Sequence, residues 1–352
     1  MDALGRLNAD SALIRARVET LSRQVASGRR AEVMGDIAPD APRAINLSND
    51  ISRRETYTTA IDQALGRTGV VQATLQRLKD IASEFRSNVA MRLDAANPAA
   101  LATVQARARS AALEVGTLLN TRFNGEYLFG GSDLSKPPVP DAGNLLNSPL
   151  AMAIGGQIAG RTAGNAAAVA AATRAAAQDQ TPGASPFSAF LEDPAAGGAE
   201  PRRGAPAADG LLVAYGIAAN RNGTASSQGE TTGSWARDLL RGLLSLAALG
   251  PAQTAQPLGF EALAGTLRAG MESAENALSE EMGALGSVEQ QLSAARTRHR
   301  GIADTLRSQL SDITDVDLAS TLTRLQAMRN ALEASYRMTS SMGSLTLSQF
   351  LR

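Results

Sequence analysis

The sequence predicts a mainly α-helical protein: an elongated antiparallel coiled coil or bundle of N- and C-terminal segments, with a small β-containing inserted domain. Three observations predict it. Apolar residues recur at alternating three- and four-residue spacings near both ends of the chain. The 352 residues are 44% hydrophobic but only 3% aromatic, so Ala and Leu must fill the core. Closely packed helices accommodate that, whereas a wide globular core needs larger side chains. The composition also changes at 136, where Pro-, Gly- and Ala-rich sequence interrupts the heptads.

The first helical pattern reads Leu4, Leu7, Ser11, Ile14, Val18, Leu21, Val25, and only Ser11 breaks it. Gly28, in "SGRR", is placed to cap its C-terminus. "GDIAPDAPRA" (35–44) reads as a loop. A second pattern runs from Tyr57 through Ile61, Ala64, Thr68, Val71, Leu75, Leu78, Ala82 and Phe85 to Val89. It predicts about 50 Å of helix at 1.5 Å per residue. "DAANPAA" (94–100) breaks it, and a third pattern follows from Leu101 to Leu118.

The third pattern stops in "NTRFNGEYLFGG" (120–131), which gathers Phe123, Tyr127 and Phe129, three of only twelve aromatics. From 136 the chain reads as loop. "GNAAAVAAATRAAAQ" has short-helix propensity, and "GLLVAYGIA" (210–218) reads as a strand. "SWARDLLRGLLSLAAL" (234–249) is an amphipathic helix with Ser234 as its N-cap. Heptads resume at Leu278, Leu285, Val288, Leu292, Ala295, His299, Ile302, Leu306 and Ile313, then Leu318, Leu322, Leu325, Leu332 and Tyr336.

Charge and composition exclude several functions. Net charge is zero, without a basic block, so there is no electrostatic footprint for nucleic acid. No cysteine is present, which removes disulfides, zinc–thiolate sites and thiol nucleophiles. The N-terminus lacks the apolar core of a Sec signal peptide, and no apolar run is long enough to span a membrane. The lone His299 falls on a seam position without identifiable catalytic partners and reads as a semi-buried core residue. Asp312, Asp315 and Asp317 match no calcium loop; Asp315 or Asp317 reads as a helix N-cap. "YLFGGSD" and "AIGGQIAG" match no phosphate-binding loop. No catalytic, cofactor-binding or metal site is expected, and the reading is structural, not enzymatic.

Four segments, in order, resemble the bacterial flagellin family. "LSRQVASGRR" (21–30) is similar to the end of that family's first helix, and "LQRLKDIASE" (75–84) to its "LQR-[IV]-[KR]-E-L" helix. "LLNTRFNGEYLFGG" resembles "N-x-x-FNG-x-YLF-[AG]-G". "DVDLASTLTRLQAMRNALEASYRMTSSMGSLTLSQFL" resembles its C-terminal helix. The resemblance covers about 1–135 and 234–352 and leaves the middle uncovered.

The resemblance implies an axial flagellar subunit, exported unfolded without a cleaved signal and folding on assembly outside the cell. It implies an inner coiled coil of 1–38 with 312–352, a helical rod of 39–135 with 233–311, and a variable outer insert, 136–232. Leu4, Leu7, Ile14, Val18, Leu21 and Val25 would then face Leu318, Leu322, Leu325, Leu332 and neighbouring subunits. Leu345, Leu347 and Phe350 would extend that assembly seam. Phe123, Asn124, Gly125, Tyr127 and Phe129 would form a structural turn. Asn124 and Gly125 both tolerate the positive φ that a tight hairpin demands. The implied partners are further copies in a helical ring, a neighbouring hook-associated protein, flagellin and an export chaperone.

Within the family, "GDIAPDAPRAINLS", "YLFGG" and "GSLTLSQFL" resemble the hook–filament junction type more than the filament subunit. The closing Arg352 is similar to filament flagellins, and the family's usual "M-R-[IV]-S-T" start is absent. The alternatives are the major filament subunit and, from another class, a cytoplasmic coiled-coil adaptor sharing the heptads but neither the turn nor the export.

Overall fold

The structure, a computed structural model, describes residues 3–30, 38–89, 98–181, 183–250 and 257–350. It is mainly helical: α1 (Ala3–Ser27), α2 (Ala41–Glu84), α3 (Pro98–Leu119), α4 (Pro149–Ala159), α5 (Ala166–Gln178), α6 (Ala189–Glu192), α7 (Trp235–Ala248), α8 (Pro257–Thr314) and α9 (Leu318–Phe350). Two small antiparallel sheets accompany them, β1 (Arg122–Phe123) with β2 (Glu126–Tyr127), and β3 (Gly204–Ala208) with β4 (Leu211–Ala214). The expected loop at 35–44 and helix break at 94–100 lie partly outside the described residues.

The chain divides into two compact units, residues 1–56 with 298–352, and residues 57–297. In the first, Ala44, Leu47 and Ile313 form a small core. Glu55 and Arg307 pair across it at 2.6 Å on an exposed face.

In the second unit, α2 runs antiparallel to both α3 and α8. Arg77 meets Glu114 and Arg107 meets Glu84 on the α3 side. Asp62 meets Arg296 and Arg86 meets Glu275 on the α8 side. Between these rims lie Ile61, Val71, Leu75, Leu78 and Phe85, with Leu101, Val104, Leu278, Leu285 and Leu292. Burying each such side chain contributes roughly 1.5–3 kcal/mol. Helix α8 begins at Pro257, well before the expected heptads. A π-helical turn over Phe85–Val89 follows α2.

Helix α7 departs from the sequence reading. Its pattern is amphipathic, yet every residue from Trp235 to Ala247 is buried. The polar face is covered and paired. Arg237 grips both carboxylate oxygens of Glu192 at 2.6 Å and donates to the carbonyls of Asn220 and Ala177. Arg241 reaches Thr173, the Ala170 carbonyl and Glu230. Ser234 occupies the N-cap position, but its side chain does not cap the helix. Asn222 takes the Trp235 N–H instead, and Asp238 receives the Thr232 N–H and the Thr231 hydroxyl.

The expected short helix appears as α5 and the expected strand as β4. Segment 136–232 also carries α4 and α6, which sequence patterning did not pick out.

Candidate assembly interface

Helices α1 and α9 pack antiparallel and bring the two ends of the chain together. One end of the pairing is pinned by backbone. Arg30 N–H donates to Thr314 O at 2.6 Å and Val316 N–H to Gly28 O at 3.0 Å, with a bridge between Arg29 and Asp315. Gly28, at φ 70°, ends α1 in the left-handed region as the sequence suggests. Asp317 caps α9, accepting from Ala319 N and Ser320 N at 2.9 and 3.2 Å. Farther along, Ser11 and Ser335 meet at 2.6 Å, and Arg15 donates to the Tyr336 hydroxyl and lies 5.8 Å from its ring centroid.

These contacts fix the register. On α1 the inward positions are Leu7, Ser11, Ile14, Val18, Leu21 and Val25. Ser11, read from sequence as the break in the pattern, is a buried member of it. On α9 the inward positions are Thr321, Leu325, Met328, Leu332, Ser335 and Thr339, an unbroken alternation of four and three. The register sets Ile14 level with Leu332, and Leu21 level with Leu325.

Leu322 is corrected in this respect: at 49% exposed it lies outside the seam between α1 and α9, and Leu318, level with Gly28 where α1 has ended, is 48% exposed. For Leu322 the reason is phase, whereas Leu318 keeps the phase of the stripe but lies beyond the end of α1. Leu325 and Leu332 share a stripe with Thr321 and Met328, and Leu322 falls on the neighbouring turn face. Threonine and serine at seam positions hid this stripe from a reading that counted leucines. Each satisfies its hydroxyl locally: Thr321 donates to Asp317 O, Thr339 to Ser335 O and Ser11 to Leu7 O. The Leu4, Leu345, Leu347 and Phe350 side chains lie outside the described residues.

The seam is thin. Leu7, Ile14, Val18, Leu21, Val25 and Leu332 remain half-buried, while Leu13, Leu318, Leu322, Tyr336 and Met338 are exposed. Two helices alone leave part of their apolar surface in water.

The turn residues lie in the other unit. Asn124 and Gly125 have φ 51° and 83°, and the strands pair Phe123 with Glu126 and Arg122 with Tyr127. That is a two-residue hairpin with both central residues left-handed. Phe129 is fully buried, edge-on to Trp235 with ring centroids 6.4 Å apart. Tyr127 is buried under the Arg122 guanidinium. Phe123 lies against Gly66 of α2, where an added Cβ would meet the ring at 3.1 Å. The aromatics gather where the helix ends because each packs on a different element.

Among the described residues no group of His, Cys, Asp or Glu is arranged to hold a metal, and no helix is long and apolar enough to cross a membrane. His299 is buried, as a seam position implies.

The C-terminal helices carry a likeness to known proteins. Residues 269–351 match the bacterial flagellin C-terminal helical region. The match spans most of α8 and all of α9, including every α9 seam position. It supports the flagellin family and a structural role in the flagellum. The flagellin family is structural, not enzymatic, and is exported to the extracellular flagellum. No curated protein matches the chain.

Proposed function

We propose that the chain is an axial subunit joining hook to filament, exported unfolded and completing its terminal coiled coil on assembly. The observation that carries the assembly reading is the thin seam between α1 and α9. Its residues are half-buried, and Leu13, Leu318, Leu322, Tyr336 and Met338 stay exposed beside it. Such a pair gains stability when neighbouring copies cover the remaining apolar surface, because ordering then releases more water than the chain alone can. Self-association in a ring follows, with a neighbouring hook-associated protein and flagellin at its two faces and an export chaperone before assembly.

The junction position rests on "GDIAPDAPRAINLS", "YLFGG" and "GSLTLSQFL", which resemble junction subunits. The second reading, a major filament subunit, draws on the flagellin match itself. A chromosomal deletion separates them. Loss of a junction subunit leaves bare hooks and releases a different, still synthesised flagellin into the medium. Loss of a filament subunit leaves bare hooks with no released flagellin. Normal filaments after deletion would sink both readings.

A further inference from the structure

In the unit formed by residues 57–297, a cavity of about 300 Å³ opens beside β3 and β4. Four guanidinium-bearing residues line it: Arg67, Arg202, Arg203 and Arg221. Three carboxylates face them. Glu126 lies between Arg67 and Arg203, at 2.7 and 2.9 Å. Glu200 is in the lining, with one oxygen taken by Ser132 N–H at 2.8 Å. Glu281 lies behind Gly223, beside Arg202, and accepts the N–H groups of Gly223, Thr224 and Ala225.

The balance is one positive charge in excess, and two of the three carboxylates already serve backbone donors. The Arg67 side chain is only 7% exposed. Burial, then the nearby Arg203 charge, pushes its guanidinium below its ordinary range. Arg203 holds the Glu126 carboxyl below its usual value. Arg221 is held in place by the carbonyls of Gly198 and Glu200. Arg202 lines the cavity and spends its Nε on Gly216 O at 2.7 Å. Crowded guanidinium groups with donors to spare, around a partly enclosed space, suit a tetrahedral or planar oxyanion.

We propose that this cavity binds a phosphate group. The Arg202 and Arg203 forks supply donors, and Arg67 supplies charge from beneath. A water molecule occupies about 30 Å³ of liquid, so the space admits a group several waters in size. A free phosphate and the phosphate of a small monoester present the same dianion, and both fit. Binding relieves the repulsion between Arg67 and Arg203 and ties the β3–β4 hairpin to the loop at 221–223.

The test is calorimetric titration of the full chain with inorganic phosphate and, separately, glycerol 3-phosphate, at fixed ionic strength against sodium chloride. Saturable binding is expected for phosphate and not for chloride. Arg202→Gln should weaken it at least about tenfold, equivalent to about 1.4 kcal/mol. Arg324→Gln, an exposed change on α9, should leave it unaltered. Should Arg202→Gln shift the urea midpoint, Arg203→Gln decides, since Arg203 lies at the surface. Tighter binding of the monoester supports the site with a carried phosphate, and equal binding supports it with the free ion. No saturable heat up to about 10 mM, well above a 1 mM dissociation constant near −4.1 kcal/mol, would overturn the site. So would unchanged affinity in both cavity variants.

Discussion

Ser11 and Ser335 face each other across the seam between the first and last helices, their hydroxyl oxygens 2.6 Å apart. Ser11 also donates to the Leu7 carbonyl at 2.8 Å, so its single hydrogen is spent and Ser335 is the donor to it. A polar pair at this level favours the observed register, since a shift of one turn that brings Ser11 level with Leu332 would set Ser335 against Leu7. Ser11→Ala should cost about 1 kcal/mol, and Ser11→Ala with Ser335→Ala less than the sum of the single changes. A double-mutant cycle on thermal unfolding of the terminal helices measures this. Strict additivity would mean the pair carries no coupling.

Leu325 and Leu322 separate folding from assembly. Leu325 is 7% exposed and faces α1, whereas Leu322 is 49% exposed. Leu325→Asp should lower helicity and open the α1–α9 pairing, at a cost of several kcal/mol for a buried unpaired charge. Leu322→Asp should leave the isolated chain's circular dichroism unchanged and reduce its incorporation into flagella. Equal effects of both on the isolated chain would put Leu322 in the intrachain seam after all.

Sequence reading recovered the helices because their period is long and sustained: α2, α3 and α9 each show it over many turns. It recovered the hairpin because Asn124 and Gly125 accept positive φ where few residues do. It missed the phase of the α9 stripe because Thr321, Ser335 and Thr339 are not apolar, and a hydroxyl that bonds its own helix looks like a surface residue in one dimension. It missed the burial of α7 for the converse reason. Arg237, Asp238 and Arg241 mark a solvent face unless their partners are known. Those partners, Glu192, Thr231 and Thr173, lie 7 to 68 residues away.

At the hairpin, Gly125 stands at φ 83°. Gly125→Ala should cost roughly 1–2 kcal/mol, the penalty for a Cβ in the left-handed region. Asn124→Gly should be nearly neutral by the same logic. Urea midpoints of the two variants check the pair, and the account fails here if the alanine variant is as stable as the parent.

The buried ion pair of α7 predicts a large asymmetry. Glu192→Ala leaves the Arg237 guanidinium buried with its carboxylate gone and should cost about 3–5 kcal/mol. Replacing both by Met and Leu should recover much of that. Chemical denaturation of the three variants tests it, and a mild single substitution would contradict the burial.

Asp238 gives the pH dependence a sign. Burial raises its carboxyl above the ordinary 3.8, against the hydrogen bonds from Thr231 and Thr232 that lower it. The folded chain therefore holds this proton more tightly than the unfolded chain. The stabilisation is full below the ordinary value and is lost as pH rises through the raised one. Relative to Asp238→Asn, the parent should lose urea resistance as pH climbs from about 4 toward neutral. A pH-independent difference between the two would show that Asp238 does not titrate differently on folding.

Immunogold labelling of purified flagella tests the proposed seat where hook meets filament. A single narrow band of label at the junction is expected. Label along the whole filament would contradict the junction and make the chain a filament subunit. Absence from flagella altogether would contradict the flagellar role.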